Sequence, residues 1–376
     1  MQSRQLPRQS KALQKPNRQM LCCPLTAASS LRFNRQLLAR HRLCATTGVQ
    51  EWDGLRVWRN GVSDGHAWSS SGEGKPCRAA DGDASHVTEL LPDTLAGCGR
   101  VVLNTADPGL KMALTHAAFT RWCQGTLPLG TAEAPASPAR PAKPELVSMR
   151  ETPTPERSPL PLNAHVLHNV AHIEYNAINL AWDTVTRFSS LPLPSQFFSD
   201  FARVADDEAR HLGWCLQRLA ELGHSYGELP SHNALWEGAA ASAGDVIDRL
   251  VVVNCVQEAR GLDAGPKLAE RLLGAGDMRS AAIIRRISSE ELAHVAVGVR
   301  WLRTVSQTRE SEPGDAFRTV VQRHYPDGLR GPFNHHIRHK VGLPREWYAP
   351  SPKPSMSDLR YRLEAMVEAE AQHMKT

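Results

Sequence analysis

Residues 1–50 contain no aspartate or glutamate. They do carry Arg4, Arg8, Lys11, Lys15, Arg18, Arg32, Arg35, Arg40 and Arg42. Taking these nine from the chain's 44 basic residues leaves 35 against 39 acids, so the overall net charge of +5 comes from the leader. That excludes a basic nucleic-acid surface for the rest of the chain. An arginine-rich, serine-containing, acid-free start predicts an organellar transit peptide over residues 1–50 rather than a merely basic tail. Chloroplast and mitochondrion fit this composition alike. No run of 18 or more residues is apolar and uncharged, so no membrane-spanning helix is expected and the protein is read as soluble. The eight cysteines show no repeated CxxC spacing, which excludes a zinc ribbon or a disulfide framework. No flavin or nicotinamide fingerprint is present, so any redox chemistry needs an external electron donor. No segment alternates convincingly at period two, so an all-α chain with little or no sheet is expected.

What is present divides into four parts. Residues 51–161 read as an irregular extension: a stretch rich in Gly, Ser, Asp and Trp, one short helix over 106–124, and a proline-crowded strap in which proline removes donors and fixes φ. Residues 162–306 read as a bundle of four long helices. They run over about 163–189, Ser195 to Leu222, 244–262 and Asp277 to Ser306, with Ser195 and Asp277 as N-caps. Gly261, Gly265 and Pro266 are expected to break the third helix, with a short helix at 266–273 continuing the path. The long connection lies between the second and third helices. Residues 307–376 read as a helical tail that ends in an amphipathic helix over 356–374.

Each long helix carries an acid on its apolar stripe. The stripes are Val166, Val170, Glu174, Ala177, Ala181 and Val185; Phe197, Phe201, Val204, Glu208, His211, Cys215 and Leu219; Ile247, Val251, Cys255, Glu258 and Leu262; and Ile284, Ile287, Glu291, His294, Gly298 and Trp301. Every step is three or four residues, which keeps each set on one helical face. Four unpaired buried carboxylates are costly and repel one another, so they must share protons or meet cations. Two of the helices add a histidine three residues after the acid, in Glu208-Ala-Arg-His211 and Glu291-Leu-Ala-His294. One Glu from each of two helices and a Glu-x-x-His pair from each of the others make the donor set of a carboxylate-bridged two-metal site. At ~1.5 Å per residue, Glu174 and Glu208 stand about 22 and 20 Å from their shared loop, so they meet at one level. The expected ligands are Glu174, Glu208, His211, Glu258, Glu291 and His294. Asp207 and Glu290 are expected to orient the histidines, each across to the opposite motif, with Arg210 pairing with these carboxylates. Arg260 and Asp263 are placed near a substrate entrance or in a structural ion pair.

The motif Asp207-Glu208-Ala-Arg-His211 is similar to the DExRH signature of ferritin-like di-iron oxygenases and ribonucleotide reductase small subunits. The runs AHIEYNAINLAWD (171–183), DDEARHLGWCLQRLAELGHSYGELP (206–230), EARGLD (258–263), SSEELAHVAVGVRW (288–301) and HYPDGLRGPFN (324–334) resemble the ferritin-like family catalogued as domain of unknown function 455. The resemblance spans about residues 100–345. It implies a ferritin-like four-helix bundle with a long crossover and the six ligands named above, and it implies no substrate. The fourth helix departs from a second DExRH: Ala293 precedes His294, and Glu290 stands where that motif has Asp.

Three functions follow. The first is a di-iron oxidoreductase, with iron or manganese on the six ligands, O₂ as oxidant, a reductase or ferredoxin as electron donor and a small-molecule substrate. The second is metal handling by ferroxidase, storage or peroxide chemistry. The third is a metal-stabilised interaction protein. A cavity opening beside the acids favours an enzyme; a filled core favours a structural role.

Overall fold

The computed structural model describes residues 52–61, 65–69, 76–77 and 85–349. The transit peptide expected at 1–50 and the amphipathic helix expected at 356–374 lie outside the described residues. Helices α1 (Asp53–Asn60), α2 (Ser85–Glu89), α3 (Leu95–Leu103) and α4 (Pro108–Cys123) precede the strap. The bundle is made of α5 (Leu162–Arg187), α6 (Ser195–Glu221), a third helical path and α10 (Met278–Thr308). Between α6 and that third path the chain forms α7 (Ala234–Ala241). The path itself begins as α8 (Val246–Arg249), continues as a π-helix over Leu250–Glu258 and ends as α9 (Ala259–Gly274). Helices α11 (Pro313–His324), α12 (His335–Lys340) and α13 (Arg345–Tyr348) follow. Among the described residues the sheet is confined to the two-residue antiparallel pair β1 (Ala67–Trp68) and β2 (Pro76–Cys77). The chain is therefore all-α, a four-helix bundle with its long connection in the middle.

Residues 51–161 hold more helix than expected: among the described residues α4 falls on the helix expected at 106–124, and α1, α2 and α3 come in addition. They are anchored to the bundle one contact at a time, which no short-range pattern encodes. Trp182 Nε1 of α5 donates to Thr115 Oγ1 of α4 (3.0 Å). Tyr175 Oη donates to the carbonyls of Ala106 and Ala139 (3.0 Å each). Arg59 of α1 grips Asp200 of α6 (2.6 and 2.8 Å), and Asp200 also accepts from Trp301 Nε1 of α10 (2.8 Å). Asp277 caps α10 by accepting from Ser280 N (2.9 Å). Ser195 does not cap α6: Pro194 occupies that position and no side chain caps the helix.

Gly261, Gly265 and Pro266 do not break the third helix; all three lie inside α9. At Gly265 the missing side chain serves packing, because a Cβ there would lie 2.1 Å from Ser288 Oγ of α10. A Cβ on Gly298 of α10 would likewise lie 2.2 Å from Asn254 Cβ in the π segment. These two close approaches let α10 lie against the third path. In an exposed helix a side chain at such a position would gain about 1 kcal/mol over glycine. Here Gly298→Val is expected to lower stability by about 2 kcal/mol through overpacking, read from the urea midpoint. An unchanged or higher midpoint would show that glycine is not what sets this separation.

The π segment was not foreseen. Its residues Leu250 to Val256 are all buried, so no polar face marks a period. Val251, Val252 and Val253 are also β-branched, which crowds an α-helical turn. π-helical turns often accompany functional sites, and this one ends on Glu258.

Candidate metal centre

Helices α5, α6 and α10 carry Glu174, Glu208, His211 and Glu291 into one buried group whose donor atoms all lie within 4.8 Å of one another. His211 turns Nδ1 inward, 3.2 Å from Glu208 Oε2, 3.6 Å from Glu174 Oε2 and 3.7 Å from Glu291 Oε1. His294 does the same from α10, with Nδ1 2.9 Å from Glu208 Oε1 and 3.5 Å from Glu291 Oε1. The 2.9 Å contact is not angled as a hydrogen bond: both atoms are buried and neither has a hydrogen-bond partner. Two donors side by side, aimed at common space and not at each other, suit ligands of one ion. Glu258 stands outside the four-residue group, held by Asn254 Nδ2 (2.8 Å).

The outward nitrogens cross between the helices. His211 Nε2 is 3.0 Å from Glu290 Oε2 of α10, and His294 Nε2 is 3.2 Å from Asp207 Oδ2 of α6. Arg210 Nη2 joins the two pairs, donating to Asp207 Oδ1 (2.5 Å) and Glu290 Oε2 (3.0 Å). Arg286 adds a 2.8 Å contact to Glu290 Oε1. Trp58 Nε1 of α1 donates to Asp207 Oδ2 (2.7 Å), with its ring edge-on to His294. Reasoning from sequence missed Trp58 and Asn254. Asn254 lies four residues before Glu258, one turn back on the same helix, which is a signal that could have been used. Trp58 carried none.

The charge balance follows from these contacts. Burial and the neighbouring Glu208 push Glu174 well above the usual carboxylate range. Burial also opposes the charge on Glu208, but His294, Glu174 and His211 hold it well below that range. Burial and mutual repulsion thus favour a proton shared between these two carboxylates. Burial pushes Glu258 up to about 8 and also raises Glu291. Burial disfavours the charged imidazoles, yet the surrounding carboxylates keep His211 and His294 protonated well above pH 6.5. Glu290 is drawn down to about 2 by His211 and Arg210 against its burial.

A cavity of about 390 Å³ opens on the acids, with Glu174, Glu208, Glu258 and Glu291 in its wall. Its apolar lining comes from Val170, Ile173, Ala177, Leu180, Leu235, Leu268, Ile284 and Ile287. Arg260 lies in the wall and Asp263 does not. Asp263 is taken by Arg338 (2.6 and 3.0 Å) and by Asn334 N (2.7 Å).

A second group, His66, His116 and Asp206, lies apart from these four. His116 Nδ1 is 2.7 Å from Asp206 Oδ1, and its ring stacks on His66 at 3.8 Å with 9° between planes. In-plane lone pairs of parallel stacked rings do not meet at one point, so this geometry does not hold an ion between the two imidazoles.

Against known proteins, the chain is 34% identical over 210 residues to an uncharacterised protein of Haemophilus influenzae, covering 54% of this chain and 73% of that one. It is 34% identical over 102 residues to a 3-demethoxyubiquinol 3-hydroxylase of Stutzerimonas stutzeri, covering 26% of this chain and 46% of the relative. A protein of the same name from Albidiferax ferrireducens is 35% identical over 98 residues, covering 25% and 45%. The chain thus spans less than half the length of these two hydroxylases. No solved structure matches it. The family model described as protein of unknown function DUF455 matches residues 104–349. That is more than half of the chain, and the protein belongs to this family.

Proposed function

We propose that the protein is a di-iron oxidoreductase that hydroxylates a small, largely apolar molecule. Glu174, Glu208, His211, Glu258, Glu291 and His294 hold the two ions, with manganese as the alternative metal. Carboxylate and imidazole donors suit either. The convergence of Glu174, Glu208, His211 and Glu291 within 4.8 Å carries this reading, because acids buried so close must keep protons or meet cations, and the inward imidazole nitrogens complete a metal donor set. Two ferrous ions in such a site supply the reduction of O₂. The balance for hydroxylation is one C–H, O₂, two electrons and two protons giving one C–OH and one water. A reductase or ferredoxin supplies the electrons, and no organelle-specific donor is required by the chemistry.

The chain's own residues do the rest. Asp207 and Glu290 hold the imidazoles by Nε2 and turn Nδ1 toward the acids, where it can serve a metal, and a partner on the outer nitrogen also raises ligand basicity. Trp58 and Arg210 fix Asp207 in turn. The apolar wall keeps water from the acids and presents a carbon-rich substrate to them. A cavity beside the acids favours turnover over storage or a purely structural site. The hydroxylase similarity supports the same reaction class.

Anaerobic loading with Fe(II) followed by metal analysis is expected to give about two ions per chain, and exposure to O₂ is expected to bring up an oxidised di-iron absorption spectrum. A content near zero, or a spectrum indifferent to O₂, would sink the proposal.

Loading also depends on pH in a defined direction. Ligands must be deprotonated to bind metal, and Glu258, raised to about 8 by burial, keeps its proton at neutral pH. Apparent Fe(II) affinity is therefore expected to rise about tenfold per pH unit between pH 6 and 8 from this group alone. Competition with a chelator at several pH values measures the slope. A pH-independent affinity would show that no proton leaves on binding.

A further inference from the structure

The wall of the cavity combines four carboxylates, Glu174, Glu208, Glu258 and Glu291, with a mainly aliphatic lining, and His172 and His232 also lie in it. Arg260 is exposed at its edge. Among the described residues no carboxylate pairs with Arg260; Asp263, three residues on, is bound by Arg338. Two further wall atoms, Ser231 Oγ and Gln257 Oε1, are buried without hydrogen-bond partners. Ser231 is only 2% exposed. Gln257, at the end of the π segment, and Arg260, at the start of α9, both lie in this wall. The Gln257 amide is oriented by Nε2 donating to the Ala234 carbonyl (3.3 Å), which leaves Oε1 as the free acceptor.

Buried polar atoms left unpaired cost stability. A cation without a counter-ion beside an apolar hollow invites an anion. The cavity's volume lies within the usual range of small-molecule sites, about 300–1,000 Å³. Once protons or metal ions meet the charge on the acids, the aliphatic side chains of the wall are what an apolar body covers.

We propose that this cavity binds a small amphipathic anion, with its head on Arg260, hydrogen-bonding atoms against Ser231 and Gln257, and its apolar body along the aliphatic wall. The inference takes the cavity as the substrate site of the metal centre proposed above. It deepens that reading by naming the class of molecule. Orientation follows from Arg260 and the aliphatic wall: head on the guanidinium, carbon along the apolar side chains.

Isothermal titration of the full chain, loaded with Fe(II) under anaerobic conditions, tests this with decanoate and decylammonium as probes. Decanoate is expected to bind once per chain and at least about tenfold more tightly than decylammonium. Arg260→Gln is expected to erase that preference, and Arg260→Glu to reverse it. Melting temperature and metal content of each variant, unchanged from the parent, show that the fold and the centre are intact. Decanoate affinity within about twofold of the parent in Arg260→Glu would overturn the proposal, as would no saturable decanoate binding by a chain that holds its two ions. If the parent chain binds decanoate with this charge preference but takes up no metal, the ligand class stands and the di-iron reading falls.

Discussion

Glu208→Ala is expected to leave the protein unable to hold either ion. Glu208 is the acid that touches both imidazoles: Oε2 faces His211 Nδ1 at 3.2 Å and Oε1 faces His294 Nδ1 at 2.9 Å. It also contacts Glu174 and shares its proton. A carboxylate with one oxygen toward each half of the site is placed to serve both ions. Truncation removes a donor from each and leaves a void between the two histidines. Loss of a ligand together with the partners it orients lowers metal affinity well beyond the 10–100-fold typical of outer-sphere changes. Bound iron is then expected to fall from about two per chain to below about 0.2, measured after gel filtration. Glu258→Ala is the contrast. Glu258 lies outside the four-residue group and is held by Asn254, so about one ion per chain is expected to remain. The far-UV helical signal of both variants serves as the fold control. If Glu208→Ala retains two ions, Glu208 does not bridge, and the proposed arrangement is wrong.

The parts of this site that were legible in the sequence are those governed by helical period. Glu174, Glu208, Glu258 and Glu291 each interrupt an apolar stripe, and an acid on a buried face is costly enough to demand an explanation. The histidines at i+3 follow from the same geometry, as do Asp207 and Glu290 four residues before each histidine. What was not legible depends on contacts between distant segments. Trp58 reaches Asp207 across 149 residues of chain, and nothing near Trp58 in sequence announces it. The glycines of α9 looked like helix breakers because local propensity is all that a sequence displays. Gly265 is instead a place where Ser288 of α10 comes close, and tertiary packing overrides the propensity. The π segment escaped notice for a related reason: a run buried on every side shows no moment from which a turn can be counted. The cavity is invisible by nature, since a hollow is defined by several helices at once.

The short helix expected at 106–124 holds one of the most costly groups in the molecule. Lys111 of α4 is fully buried. Its Nζ donates to the Val102 carbonyl (2.6 Å) and to Asn179 Oδ1 of α5 (2.8 Å). Among the described residues no carboxylate pairs with it. Burial, reinforced by the positive charge of Arg140, pushes its ammonium from an ordinary 10.5 down to about 7. In the unfolded chain the same group keeps its proton until about pH 10.4. Between these limits the unfolded state binds more protons than the folded one, so stability rises with pH across that window. Below pH 7 both states are protonated and the full penalty is present. The swing is on the order of 4 kcal/mol at about 1.4 kcal/mol per pH unit. Urea unfolding of the metal-free protein at pH 6, 8 and 10 measures it, with Lys111→Met as reference. The substitution strips a donor from Val102 and Asn179, a cost of about 1–3 kcal/mol that does not vary with pH. The readout is therefore the slope of the difference between the two proteins: relative to the parent, the methionine variant should lose ground steadily from pH 7 to pH 10. A difference that stays level over that range would mean that Lys111 keeps its charge inside the fold. In that case the hydrogen bonds to Val102 and Asn179 sustain a bare ammonium where burial argues they cannot.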